Sequence, residues 1–155
     1  GILPTGERCL MQANQSFTVV DADYRRDSPL LRAVREPVFV LEQKVPLELE
    51  WDAIDPECHH VLALDSQQSP IGTGRLTPEH TIGRMAVLAH WRGQGVGDAM
   101  LLRLISKARA LGWPSVSLHA QVSAVGFYLK HGFQSYGSVY EEAGIQHQSM
   151  SLNLI

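Results

Sequence analysis

The stretch Arg92-Gly93-Gln94-Gly95-Val96-Gly97 has the residue types and spacing to hold an anion. Closely spaced glycines let the main chain approach a ligand without Cβ clashes. The periodic segment that follows at once reads as a helix, whose first turn offers unpaired N–H groups and partial positive charge. With the apolar run Met85-Ala86-Val87-Leu88 before it, the turn joins a strand to a helix, and a diphosphate is the expected guest. Arg92 adds fixed charge. A mononucleotide P-loop is excluded because Gly97 is followed by Asp98-Ala99 and not by Lys and Ser or Thr. The dinucleotide fingerprint fails as well, since its last glycine would fall on Asp98 counted from Gly93, or on Met100 counted from Gly95.

A second cluster lies downstream, Ala124-Val125-Gly126-Phe127-Tyr128-Leu129-Lys130-His131-Gly132-Phe133. Together the two segments resemble the GNAT superfamily of N-acetyltransferases. Arg-x-x-Gly-x-Gly is similar to their acetyl-coenzyme A signature, and the later segment looks like their A-x-x-F-Y-x-x-x-G-F block. The pattern departs at Gln121, where many relatives have Asn. Glu42-Gln43, Gly72-Thr73-Gly74-Arg75-Leu76, Gly83-Arg84-Met85-Ala86-Val87, Leu118-His119-Ala120-Gln121 and the tail Gly144–Met150 are similar to the ElaA-like branch of bacterial GNAT proteins.

That resemblance implies an N-acetyltransferase that moves an acetyl group from acetyl-coenzyme A to a primary amine by direct attack in a ternary complex, releasing coenzyme A. On it, the main chain of Met85, Ala86 and Val87 pairs with the pantetheine amides. Arg92, Gly93, Gln94, Gly95, Val96, Gly97 and Asp98 hold the pyrophosphate, and Gln121, Gly126 and Phe127 line the rest of the cofactor site. Lys130 is either a 3′-phosphate contact or a solvated lysine. Acyl transfer passes through an oxyanion and expels a thiolate, which leaves more readily beside an acid. By resemblance Tyr128 is that acid. The acceptor must lose a proton first, because an alkylammonium with pKa ~10 is not nucleophilic at neutral pH. His119 is the first candidate for that base, with Glu50, Glu79, His80, His147 and a water relay left open. Glu42, Arg75, Arg84 and His147 are expected at the acceptor pocket. The rival from another class is a non-catalytic acyl-coenzyme A sensor or interaction domain; the presence of Tyr128 favours the enzyme.

These side chains need a sheet to hold them. Ser16–Val20, His60–Leu64, Ile71–Leu76, Thr81–Leu88, Val116–Ala120, Phe133–Tyr140 and His147–Leu154 read as strands. A helix opening at Asp27-Ser28-Pro29 carries an apolar stripe at Leu30, Leu31, Val34, Val38 and Leu41, with Pro37 bending it. The helix after the glycine turn runs to Gly112, and Ser123 is expected to cap a short one over Ala124–His131. Strands 81–88 and 116–120, with a helix between them, form a parallel pair in a right-handed crossover. The fold class implied is a mixed α+β GNAT fold: a mostly antiparallel sheet of roughly six to seven strands, its parallel central pair splayed for the cofactor, flanked by about four helices. Residues 1–15 read as a tail or remnant, and residues 16–155 as one domain.

At 155 residues, 45% hydrophobic and 19% charged with net charge −3, the chain lacks the basic excess of nucleic-acid binders. No apolar run approaches the ~20 residues needed to cross a bilayer. The two cysteines, Cys9 and Cys58, make no disulfide framework and fit a reducing, cytoplasmic setting. Cys58-His59-His60 has no metal-ligand spacing, since adjacent residues on a strand face opposite ways. No metal, nucleic acid or membrane partner is therefore expected. The acidic stretch Glu42–Asp55 favours a cationic acceptor, a small molecule or a peptide amine. The terminal strand 147–154 is expected to serve as an edge for a homodimer.

Overall fold

The computed structural model describes residues 16–38, 55–142 and 144–155. Seven strands form within them: β1 (Phe17–Ala22), β2 (His59–Asp65), β3 (Pro70–Leu76), β4 (Thr81–Val87), β5 (Ser115–Gln121), β6 (Gln134–Glu142) and β7 (Ile145–Asn153). They make one sheet in the order β1-β2-β3-β4-β5-β7-β6. All neighbours are antiparallel except β4 and β5, which run parallel because helix α2 (Val96–Ala110) crosses between them. Two other α-helices are described, α1 (Tyr24–Arg35) and α3 (Val125–Leu129).

Each face of the sheet has its own cover. Val61, Ile71, Ile82, Val116, Leu118 and Met150 pack under Val96, Met100, Leu104 and Ala108 of α2, joined by Tyr128 and Phe133. On the opposite face α1 sets Leu31 on Leu62 and Leu64, and Val34 on Ala86. Strands β2 and β3 are covered on both sides and buried almost throughout, whereas β6 is exposed along nearly its whole length. The helix α2 comes so close to β3 that a Cβ on Gly72 would stand 3.0 Å from Met100 Cε.

Several local expectations need correction. Helix α1 begins before Asp27: Asp23 is its cap, accepting from Arg26 N at 2.9 Å, while the Asp27 carboxylate accepts from Asp23 N at 2.8 Å. This reciprocal pair outcompetes the later Asp27-Ser28 start and carries Pro29 into the helix interior. At Pro37 the winding widens to a π-type turn over residues 36–38, as a residue without an N–H would force. Ser123 does not cap: Val122–Ala124 wind as a 3-10 turn, and α3 starts at Val125 with no side-chain cap. Strand β7 is not an edge, because β6 pairs along its outer side. No helix of the described residues is long and apolar enough to cross a membrane.

Candidate active site

The parallel pair is short. β4 and β5 register only at Thr81↔Ser117 and Ile82↔Leu118; beyond that, β4 stays with β3 and β5 with β7. The closed end is pinned where Ser117 N donates to His80 O at 3.0 Å and the His80 ring stacks on Trp113 at 3.8 Å. The divergence has a cause in β4. Thr73 pairs with Ala86 and Arg75 with Gly83, so one more residue is used on β4 than on β3, and Arg84 takes φ +50°. A bulge of this kind bends its strand and tightens the twist. It also lets Ile82, Met85 and Val87 all face the α2 core, which strict alternation would forbid. On the β5 side, the main chain of Gly83–Val87 has no strand partner among the described residues.

At the open end of β4 the chain turns through Ala89–Trp91, with Trp91 buried edge-on against Phe17, and enters the glycine turn. Gly93 and Gly95 hold φ +78° and +88°, a left-handed backbone that other residues adopt only with strain. Arg92 Nε donates to Val87 O at 2.9 Å and ties the turn to the strand. Gly95 is the N-cap of α2 and provides no side-chain cap, so the first-turn amides of Val96, Gly97 and Asp98 are left to a ligand or solvent. The Asp98 carboxylate accepts from His131 Nε2 at 2.6 Å and pairs with Lys130 Nζ at 3.2 Å, joining α2 to the end of α3. Burial alone would raise its pKa; the His131 and Lys130 hydrogen bonds overcome that and hold it below the usual carboxylate value. Lys130 is thus engaged in an ion pair, and it lies 5.3 Å from the Phe127 ring centre.

Gly97 and Gly126 carry the test of whether this surface suits a diphosphate-bearing thioester. A Cβ on Gly126 would meet nothing within 4 Å, and one on Gly97 would make only ordinary contact at 3.5 Å with Phe127. The protein's own packing requires glycine at neither position, so crowding within the fold does not explain Gly126. Open space beside the Gly126 backbone leaves room for a ligand, so the residues present fit one.

The diverging strands β4 and β5 leave a wedge between them, and Tyr128 of α3 packs in the core on the α2 face of the sheet. It is 9% exposed, edge-on to Phe127 at 5.0 Å and to Phe133 at 5.8 Å. Burial is the one influence on its phenol and pushes the pKa up to about 12.

The opposite face of the wedge belongs to other residues. Val116, Leu118 and Ala120 point to the core, so Ser117, His119 and Gln121 point away from it. His119 is the first residue of β5 past the paired stretch. Its Nδ1 lies 3.3 Å from Ser149 Oγ and its ring is edge-on to Tyr140 at 6.1 Å; Tyr140 in turn stacks on His147 at 5.7 Å. His147 Nδ1–H donates to Ile145 O at 2.8 Å, and Gln121 sits opposite His147 in the ladder. Of the candidate bases, His119 and His147 stand together here, whereas His80 and Glu79 lie at the closed end.

Arg75 is bound into the fold. It pairs with Asp55 at 3.1 Å, and Arg35 grips the same carboxylate at 3.2 Å; Arg35 and Asp55 are fully buried. His60 Nε2–H donates to Asp55 O at 2.8 Å, and burial lowers its pKa. Arg84 sits half-buried in the bulge, and Glu42 and Glu50 lie outside the described residues. The described residues include no cluster of His, Cys, Asp or Glu able to hold a metal. Sequence reasoning missed Tyr140, Ser149 and the Arg35–Asp55 pair. Only Arg35 left a trace, as a charged residue on the buried stripe with Leu31 and Val34.

Residues 33–154 match the family described as acetyltransferase (GNAT) domain. An uncharacterized N-acetyltransferase of Bacillus subtilis, YjcF, is 39% identical over 122 residues, covering 76% of this chain and 86% of that protein. The crystal structure of an acyl-CoA N-acyltransferase from Pseudomonas aeruginosa is similar at TM-score 0.78 and 29% identity, covering 88% of this chain and 99% of the other. Escherichia coli ElaA is similar at TM-score 0.77 and 26% identity, again over 88% and 99%.

Proposed function

The chain belongs to the GNAT acetyltransferase family and is an acyltransferase that uses an acyl-coenzyme A; from that premise we propose that it carries acetyl from acetyl-coenzyme A to a primary amine by direct attack in a ternary complex. The observation that carries this reading is one wedge with a different tool on each side: an uncapped glycine turn and a buried phenol on the α2 side, an imidazole on the other. Bound acetyl-coenzyme A supplies the activated thioester. The first-turn amides of α2 and Arg92 bind its phosphates, and the β4 main chain from Met85 to Val87 orients its arm. Phe127 and Gly126 shape the channel beside it, with Gln121 at the far wall. Tyr128, held neutral by burial, donates a hydrogen bond toward the departing sulfur. His119 takes the proton from the acceptor nitrogen on the face away from α2. Two cysteines in 155 residues, Cys9 and Cys58, are too few for a disulfide framework and support a reducing, cytoplasmic setting.

Thiol release measured against a panel of alkylamines, polyamines, aminoglycosides and peptides tests the reading, with calorimetry on acetyl-coenzyme A beside it. Turnover with some amine is expected, and Tyr128→Phe is expected to lose it while keeping acetyl-coenzyme A affinity. A domain that only senses acyl-coenzyme A would bind and release no thiol. Absence of binding heat would end the assignment.

A further inference from the structure

Resting on the acetyl-transfer reading, we propose that Ser149 and Tyr140 are positioning residues that form a hydroxyl relay, fixing the tautomer of His119 and passing the acceptor's proton from the wedge to solvent. Ser149 stands directly opposite His119 in the β5–β7 ladder, and its Oγ is 3.3 Å from His119 Nδ1. The Ser149 hydroxyl lies close enough to the Tyr140 phenol to pull its pKa down against burial. Its ring is held between two imidazoles, edge-on to His119 and stacked on His147, and the His147 ring is itself fixed by its bond to Ile145 O.

The sheet is bent to bring Tyr140 there. Pairing of β6 with β7 breaks between Tyr136 and Tyr140, and Gly137 takes φ +73°. Gln148 Nε2 donates to Tyr136 O at 2.8 Å and to Gly137 O at 3.2 Å, partnering carbonyls displaced from the ladder. Bulges gather at sheet edges and beside active sites, and this one, on the edge strand, sets where Tyr140 falls against β7.

The proton count balances. The acceptor nitrogen gives one proton to His119 Nε2. The Nδ1 proton passes to Ser149 Oγ, the Ser149 hydroxyl proton to Tyr140 Oη, and the Tyr140 proton to water. Only N–H and O–H bonds form and break. Burial first, then the charge of Glu142 and the neighbouring Tyr136, raises the Tyr140 pKa, so the relay starts with its hydroxyl protonated. The groups facing the relay are His119 on β5, Tyr136, Tyr140 and Glu142 on β6, and His147 on β7.

The test uses the full chain with Ser149→Ala, Ser149→Thr and Tyr140→Phe. Nitrogen-15 NMR of the imidazoles needs no acceptor: His119 is expected as the Nδ1–H tautomer, shifting toward Nε2–H in Ser149→Ala. With the best amine of the panel, kcat/KM for the amine is expected to fall about tenfold in Ser149→Ala. Its acid limb should move, Ser149→Thr should restore both, and acetyl-coenzyme A affinity should hold. In mixtures of light and heavy water, the curved rate dependence of a multi-proton transfer should become linear in Tyr140→Phe. An unchanged tautomer, a loss that Thr does not rescue, or an unaltered pH profile overturns the relay. Wild-type protein that acetylates nothing would instead overturn the reading on which it rests.

Discussion

Tyr128 is the residue whose surroundings most constrain the chemistry. Its pKa of about 12 means that it is protonated across the working range and adds no alkaline limb to a pH profile below that value. Against an ordinary thiol at about 8.5, full proton transfer to the sulfur runs uphill by about 3.5 units, or about 5 kcal/mol. In the proposed mechanism its part in the barrier would therefore be a hydrogen bond that strengthens as charge grows on sulfur. Tyr128→Phe should lower kcat about 100-fold and leave the acetyl-coenzyme A Kd unchanged, while the melting temperature holds or rises because no described residue hydrogen-bonds the lost hydroxyl. Asp98 offers a sign test at the same scale. Its carboxyl is depressed in the folded state. The stability it contributes is complete above the unfolded value of about 3.9 and is lost as pH falls through the lower folded value. Thermal melts of wild type and Asp98→Asn should differ at pH 6, and the difference should shrink once the pH falls below the unfolded value toward the lower folded one.

Among the elements, the glycine turn and helix α2 were legible because their signals are local: residue type dictates positive φ, and apolar spacing dictates the helix. Gly95 is the place to test this. At φ +88° a Cβ meets no neighbour, so the cost of Gly95→Ala is backbone strain alone, about 1–2 kcal/mol. The turn would relax away from its ligand. Calorimetry should show acetyl-coenzyme A binding weakened at least tenfold with the far-ultraviolet circular dichroism spectrum unchanged. The bulge in β4 was harder to see. Its one trace is the apolar spacing Ile82, Met85, Val87, three residues and then two, which reads as irregular strand until Gly74 is known to lie opposite. Capping by Asp23 lost to Asp27 in the reading because both are acceptable caps, and the choice rests on a reciprocal bond between them. Ser149 meets His119 only through the β5–β7 pairing, 30 residues apart in the chain, and Tyr140 joins them through a register break in the β6–β7 hairpin that no local pattern encodes.

At the scale of the whole molecule, the two faces of the sheet are held by different forces. The α2 face is an apolar core, whereas the α1 face contains a buried ionic junction where Asp55 meets Arg35 from α1 and Arg75 from β3, with His60 from β2 on its carbonyl. Three separate parts of the chain converge on that one residue. Two guanidinium groups on a single buried carboxylate mean that removing the anion leaves cations behind in a poorly solvated place, which is far costlier than losing an exposed pair. Asp55→Asn keeps the shape and removes the charge. It should cost about 3–5 kcal/mol, a large share of the 5–15 kcal/mol that holds a domain of this size together. A urea titration would register this as an earlier midpoint at unchanged slope. Adding Arg75→Met to Asp55→Asn should recover part of the loss, because one stranded cation is gone, giving a coupling of about 0.5–3 kcal/mol. The junction lies on β2 and β3, with β4 between it and the gap to β5, so acetyl-coenzyme A binding by the folded fraction of either variant should match wild type. Additive losses from the two substitutions would show that Asp55 and Arg75 stabilise the fold independently and that the junction is not one unit.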